Sequence, residues 1–153
     1  MDNIDKKIIE EMQKNASIPI SELSKKIGIT STPCWNRIKK LEEDKIITSK
    51  TINIDNKKIN LEITVFLSIS IQNHTEAWLK NFEKTVNKYD EITEVHRLTG
   101  SDSDYQITIL APSITSYDSF QQKLIKEIEC TNMSSHISLH TIKKTNKLSL
   151  KYI

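Results

Sequence analysis

GITSTPCWNRIKKLEED, residues 28–44, decides how the first third of this chain folds. Gly28 can adopt the left-handed conformation that stops a helix. Thr30 stands where a helix N-cap is expected, and Pro33 falls within the first turn that follows. Cys34, Ile38 and Leu41 then recur at helical spacing as one apolar face. Working outward, Pro19 suits the first turn of a preceding helix, with Ile20, Leu23 and Ile27 as its buried stripe. Further back, Asp2 followed by Asp5 signals a helix start. Ile4, Ile8 and Met12, with Ile9 beside them, make an amphipathic helix over about residues 3–15. A helix, a tight glycine turn and a second helix form the helix-turn-helix arrangement.

The rest of the composition narrows the class. Hydrophobic residues make up 37% of the 153 positions and charged residues 27%. That is adequate for a folded core if burial is shared with a partner. The formal charge is only +2, so a nucleic-acid site must come from where the charges sit. No apolar run approaches the roughly 20 residues that span a bilayer. The start, MDNIDKKIIEEM, lacks the basic head and apolar core of a secretion signal. Cys34 and Cys130 stand far apart, which fits reduced thiols in a cytoplasmic protein.

Beyond Ile47 the periodicity changes. TSKTINID alternates and is β-branched, fitting a strand or a hinge, so the domain boundary is expected between residues 48 and 61. Ile63, Val65, Leu67, Ile69 and Ile71 alternate with Thr64, Phe66, Ser68 and Ser70, the pattern of a half-buried strand. Trp78, Phe82, Val86 and Tyr89 form a helical stripe. ITEVHRLT and DYQITILA flank the loop GSDS as an antiparallel pair. Tyr117, Phe120, Leu124 and Ile128 give a second helical stripe. HISLHTIKK is expected to be the last strand, and KLSLKYI is available to extend the sheet. The order is βαββαβ, ferredoxin-like. Two helices cover one face of such a sheet. The other face would carry Phe66, Leu110 and Ile142, which predicts a dimer through a partner sheet. The expected fold class is therefore α+β: residues 1–50 a winged helix-turn-helix, 51–61 a hinge and 62–153 a ferredoxin-like domain.

The run IDKKIIEEMQKNASIPISELSKKIGITSTPCWNRIKKLEEDKII, a hinge, and a βαββαβ domain with TGSDSDY between its middle strands together resemble the Lrp/AsnC (feast/famine) transcription regulators. The resemblance covers essentially the whole chain. It implies a winged helix-turn-helix that binds double-stranded DNA, fused to a domain that senses a small effector, an amino acid. It also implies homodimers that assemble into octamers, with the effector site between subunits. Two departures stand out. Pro19 replaces the usual serine cap, and the loop Gly100-Ser101-Asp102-Ser103-Asp104-Tyr105 is one residue longer than the family's Gly-x-x-Asp-Tyr, with Gln106 where an apolar residue is usual.

Candidate site residues follow from both lines of reasoning. With Cys34, Ile38 and Leu41 inward, Ser31, Thr32, Trp35, Asn36 and Lys39 lie toward solvent. Asn36 and Arg37 carry hydrogen-bonding forks suited to bases or phosphates, and Lys39, Lys40 and Lys50 suit phosphates. Glu42, Glu43 and Asp44 should point away from DNA. The plainer alternative is a solvated helix with Trp35 partly tucked into the core. In the loop, Asp102 or Asp104 can hold an ammonium, and amides near Gly100 with the Thr99 or Ser101 hydroxyl can hold a carboxylate. The resemblance adds Tyr105. Its plainer alternative is a polar hairpin turn.

His136 and His140, four apart on one expected strand, lack the Cys or acidic neighbours of a metal site. His96 and Arg97 fit a dimer interface or a pocket wall. With no phosphate loop or nucleophile elbow, neither cofactor nor enzymatic activity is expected. The expected function is an effector-responsive, sequence-specific transcription regulator, cytoplasmic and nucleoid-associated. The rivals are a ligand-free DNA organiser and a sirohaem-decarboxylase-like enzyme.

Overall fold

The computed structural model describes residues 1–100 and 102–153. The chain forms two compact units, Met1–Asn53 with Lys143–Ile153, and Ile54–Ile142. The change between Asn53 and Ile54 falls inside the expected boundary. The last eleven residues, however, group with the first unit and not with the second, where residues 62–153 had been expected as one domain.

The first unit is built on α1 (Asn3–Lys14), α2 (Ile20–Ile27) and α3 (Ser31–Glu43). Asp2 caps α1 through a reciprocal box. Its Oδ1 accepts from the Ile4 and Asp5 amides at 2.8 and 2.9 Å, and its own amide donates to Asp5 Oδ2 at 2.9 Å. Pro19 is the residue before α2, not part of its first turn, because helical geometry begins at Ile20. Gly28 ends α2 with φ +79°, and its amide donates to Ser24 O at 3.0 Å. Thr30 occupies the cap position of α3, but its side chain accepts no capping bond. Ile8, Leu23, Ile27, Cys34, Ile38 and Leu41 close the core of this unit. Burial pushes the Cys34 thiol up, so it sits there as a neutral, apolar group. Among the described residues no strand lies between α3 and residue 63.

The second unit contains β1 (Ile63–Ser70), α4 (Glu76–Val86), β2 (Ile92–Arg97), β3 (Tyr105–Ala111), α5 (Ile114–Glu127) and β4 (Asn132–Ile137). Its sheet runs β2-β3-β1-β4 and is antiparallel throughout. This is the expected βαββαβ ferredoxin-like fold. Val65, Leu67 and Ile69 of β1, with Ile107 and Ile109 of β3, are fully buried against Phe82, Val86, Tyr117, Phe120 and Leu124 of the two helices. Phe66 lies on the opposite face, 37% exposed, with Thr108 and His136 as its cross-strand partners.

The last strand corrects the sequence expectation. β4 begins at Asn132, four residues before HISLHTIKK, because Asn132 pairs with Ser70 at one end of β1 and Ile137 with Val65 near the other. Beyond Ile137 the Ser138 amide still donates to Thr64 O at 2.9 Å, and the chain then leaves β1. His140 and Ile142 consequently lie off the sheet, so His136 and His140 do not share a strand, and Ile142 is not part of the exposed sheet face. KLSLKYI does not extend the sheet either. Gln13 of α1 holds both the amide and the carbonyl of Leu148, which fixes this segment to the first unit.

The left-handed backbone at Gly28 has no side chain or backbone within reach of an added Cβ, so a substitution there meets only conformational cost. Gly28→Ala should lower the unfolding free energy by about 1–2 kcal/mol in urea titrations. Gly28→Asn should cost less than the alanine, since asparagine tolerates this region better.

Candidate DNA-binding and effector-binding sites

The three buried residues of α3 fix where its others point. Thr32, Asn36, Lys39 and Lys40 are exposed on the side opposite Cys34, Ile38 and Leu41. Ser31 is exposed too, but its hydroxyl stands 3.3 Å from that of the buried Ser24, which ties the start of α3 to α2. Trp35 lies on one flank and is 49% exposed. Its other half lines a groove with Met12, Ala16, Ile18, Ile20 and Leu23. Trp35 is thus both partly packed and partly open to a ligand. The Lys39 ammonium stands 5.5 Å from the centre of its ring and 3.7 Å from Glu43. Lys50 reaches Glu42 at 2.8 Å. The acidic end of α3 therefore holds two of the lysines that sequence reasoning assigned to phosphate.

Arg37 lies on the other flank and is turned toward α1. Its Nη1 donates to Asp2 Oδ2 at 2.7 Å and to Asp5 Oδ1 at 2.8 Å. The Asp5 amide, then the Arg37 guanidinium, hold the Asp2 carboxyl below its usual range. The hydrogen bonds that Arg37 donates to Asp5 and then to Asp2 raise its own pKa in return. Nothing local in the sequence announced this pairing, since Asp5 is 32 residues away from Arg37.

In the second unit the loop between β2 and β3 meets the end of β1. Thr99 is exposed, and Gly100 has φ +144°. Ser101 lies outside the described residues. The Asp102 carbonyl accepts from Ser70 Oγ at 3.3 Å. Asp104 is engaged on both carboxylate oxygens. Oδ2 accepts from the Ile71 amide at 2.8 Å, and Oδ1 lies 3.2 Å from His74 Nε2. Its backbone joins β1 and β2 as well, donating to Ile69 O at 2.9 Å and accepting from the Leu98 amide at 2.8 Å. Tyr105 is only 5% exposed, and its ring packs 4.8 Å from that of Phe82 and 5.4 Å from that of Trp78. Asp104 and Tyr105, both expected among the effector contacts, also serve the fold: Asp104 ties the loop to β1, and the Tyr105 ring packs in the core. His74 was missed, because its only local mark is to precede the Thr75 cap of α4.

Two further candidates lie on β2, where His96 pairs with Gln106 and Arg97 with Tyr105. His96 Nε2 lies 3.6 Å from Glu94 Oε2. Arg97 lines a groove of about 500 Å³ under α4, together with Leu79, Val86, Glu83 and Glu94. Among the described residues no three His, Cys, Asp or Glu side chains lie close enough together to hold a metal ion. No described helix is long and apolar enough to cross a membrane.

Comparison with known proteins matches both units. A winged helix-turn-helix DNA-binding model covers residues 1–48, and the Lrp/AsnC ligand binding domain covers residues 64–148. The glutamate uptake regulatory protein of Zymomonas mobilis is 37% identical over 98% of this chain and 91% of its own length. An AsnC family transcriptional regulator from Agrobacterium tumefaciens superposes with a TM-score of 0.95 at 38% identity, covering 100% of this chain and 99% of that one. A transcriptional regulator from Neisseria meningitidis, solved as a complex with L-Met, superposes at 0.93 with 25% identity over 99% of this chain and 98% of its own. With both halves matched in order and a curated relative aligned along nearly its whole length, this chain belongs to the Lrp/AsnC family of transcriptional regulators.

Proposed function

We propose that this regulator reads specific duplex sites with the outward side of α3, and that its second unit binds an amino acid which alters that binding. The observation that carries the first part is the placement of Asn36. It is exposed one turn after Thr32, on the side of α3 directed away from Cys34, Ile38 and Leu41. An asparagine so placed can make a bidentate contact with adenine. Thr32, Lys39 and Lys40 share or border this side and suit phosphates, with Trp35 and Lys50 on one flank. Ser31 and the uncapped amides of the first turn add donors to a phosphate. In this reading Arg37 is a positioning residue that sets α3 against α1 through Asp2 and Asp5.

The effector part rests on the family's ligand-binding domain and on the polar loop that Asp104 fastens to β1. Thr99, Gly100, Ser101 and Asp102 are the proposed contacts, while Asp104 with His74 and Tyr105 hold the loop in place. No catalytic step is assigned to His96, Arg97, His136 or His140. The face bearing Phe66 is the proposed homodimer contact, with further assembly to an octamer, and the protein is proposed to act in the cytoplasm on the nucleoid. An effector bound between subunits would change which half-sites are engaged together.

Three outcomes follow. Asn36→Ala should weaken binding to a duplex selected by the wild-type protein from a random pool by about 5–150-fold, in fluorescence anisotropy, and relax preference at one position. Failure of the wild-type protein to enrich any duplex would overturn the DNA reading. Calorimetry with each of the twenty common amino acids should give saturable heat for at least one, reduced by Asp102→Asn. No heat with any of them removes the sensing claim.

The third outcome concerns pH. The folded value of Asp2 lies below its unfolded value, so its stabilisation is fully present above the ordinary 3.8 and is lost as pH falls through the lower folded value. Urea midpoints should therefore drop on acidification below about pH 4, with a smaller drop in Asp2→Asn.

A further inference from the structure

The first unit carries a charge that the whole chain conceals. With Lys143–Ile153 included it has fourteen Lys and Arg against eight Asp and Glu, a formal +6, while Ile54–Ile142 has eight against twelve, a formal −4. Four of the fourteen lie in the last eleven residues: Lys143, Lys144, Lys147 and Lys151. That segment contains no acidic residue. All four lysines are exposed, and among the described residues none of them pairs with a carboxylate. By contrast, Lys39 and Lys50 each have an acidic neighbour.

The segment is also held in place. Gln13 of α1 accepts from the Leu148 amide and donates to its carbonyl, and Asn146 Nδ2 donates to Asn53 Oδ1 at 2.9 Å. Leu148, Leu150 and Ile153 line a groove of about 400 Å³ with Ile9, Met12 and Ile47. Lys50 lines this groove and also the one beneath Trp35. Met12 and Ala16 line both grooves as well, so the basic segment, docked on α1, reaches toward the Trp35 and Lys50 flank of α3.

We infer that Lys143–Ile153 is a second DNA-contacting element, a docked basic strap whose lysines meet the phosphate backbone beside the site occupied by α3. This rests on the DNA reading above and adds to it the partner chemistry, duplex phosphate, and the residues. Apolar side chains and the Gln13 bridge fix the backbone of the strap. The lysines are left to neutralise phosphates and release counterions, which adds affinity without sequence information.

The test is the salt dependence of binding by the full chain to a mixed-sequence duplex of about 30 base pairs. Replacing Lys143, Lys144, Lys147 and Lys151 by Gln should reduce the slope of log K against log salt by about 0.9 for each lysine that meets a phosphate. The four-fold Lys→Arg variant should retain the wild-type slope. A control with Lys57, Lys58, Lys123 and Lys126 replaced by Gln removes the same charge from exposed positions of the second unit and should leave the slope unchanged. If the first variant keeps the wild-type slope, or the control lowers it equally, the strap is not a DNA contact. In either case wild-type binding still stands, so the failure is separate from failure of the DNA reading. Single Lys→Gln variants, each expected to shift the slope by at most one contact, provide the same readout should the four-fold variant lose its helical circular dichroism.

Discussion

Cys34, Ile38 and Leu41 can leave water only by packing against α1 and α2, and the DNA-binding unit depends on that single requirement. Their burial with Ile8, Leu23 and Ile27 fixes the rotation of α3 about its own axis. Once that rotation is set, Thr32 and Asn36 are outward, Trp35 falls on one flank and Arg37 on the other. Gly28 makes the packing reachable by reversing the chain in a conformation that most residues avoid. The ion pairs from Arg37 to Asp2 and Asp5 then secure one flank. They are partly exposed, so their main effect is on orientation, with burial supplying most of the stability.

The ferredoxin-like unit follows a parallel logic. β1 is the central constraint, because it pairs with β3 on one side and β4 on the other, and its alternation decides what both neighbours present. Val65, Leu67 and Ile69 commit one face to α4 and α5, which leaves Phe66 on the other. Asp104 satisfies the Ile71 amide just past the end of the strand. The loop that carries the proposed effector contacts is thereby anchored to the core strand.

Much of this was legible in the residues. Four-residue recurrence of apolar side chains located the helices, and strict alternation located β1, because both patterns are local consequences of backbone geometry. The reciprocal Asp2 and Asp5 cap was legible for the same reason. The start of β4 was not. NMSSHI has little apolar alternation, and it becomes a strand by pairing with β1, some sixty residues earlier. Arg37 carried the donor pattern of a base or phosphate contact, and only folding brought two carboxylates to it. Asp104 and Tyr105 matched the loop motif, yet the motif does not reveal which side chain is spent on the fold.

By itself the sequence determined the element order, the two fold types, the apolar face of α3 and the resemblance to a regulator family. Each of these depends on spacing between near neighbours or on a motif that survives without coordinates. Tertiary structure alone decided that Arg37 faces α1, that Asp104 is committed to β1, that the Tyr105 ring is core, and that the final lysines join the DNA-binding unit. Those outcomes depend on contacts between residues far apart along the chain. Their partners are selected by packing and hydrogen-bond satisfaction in three dimensions, which no local pattern encodes.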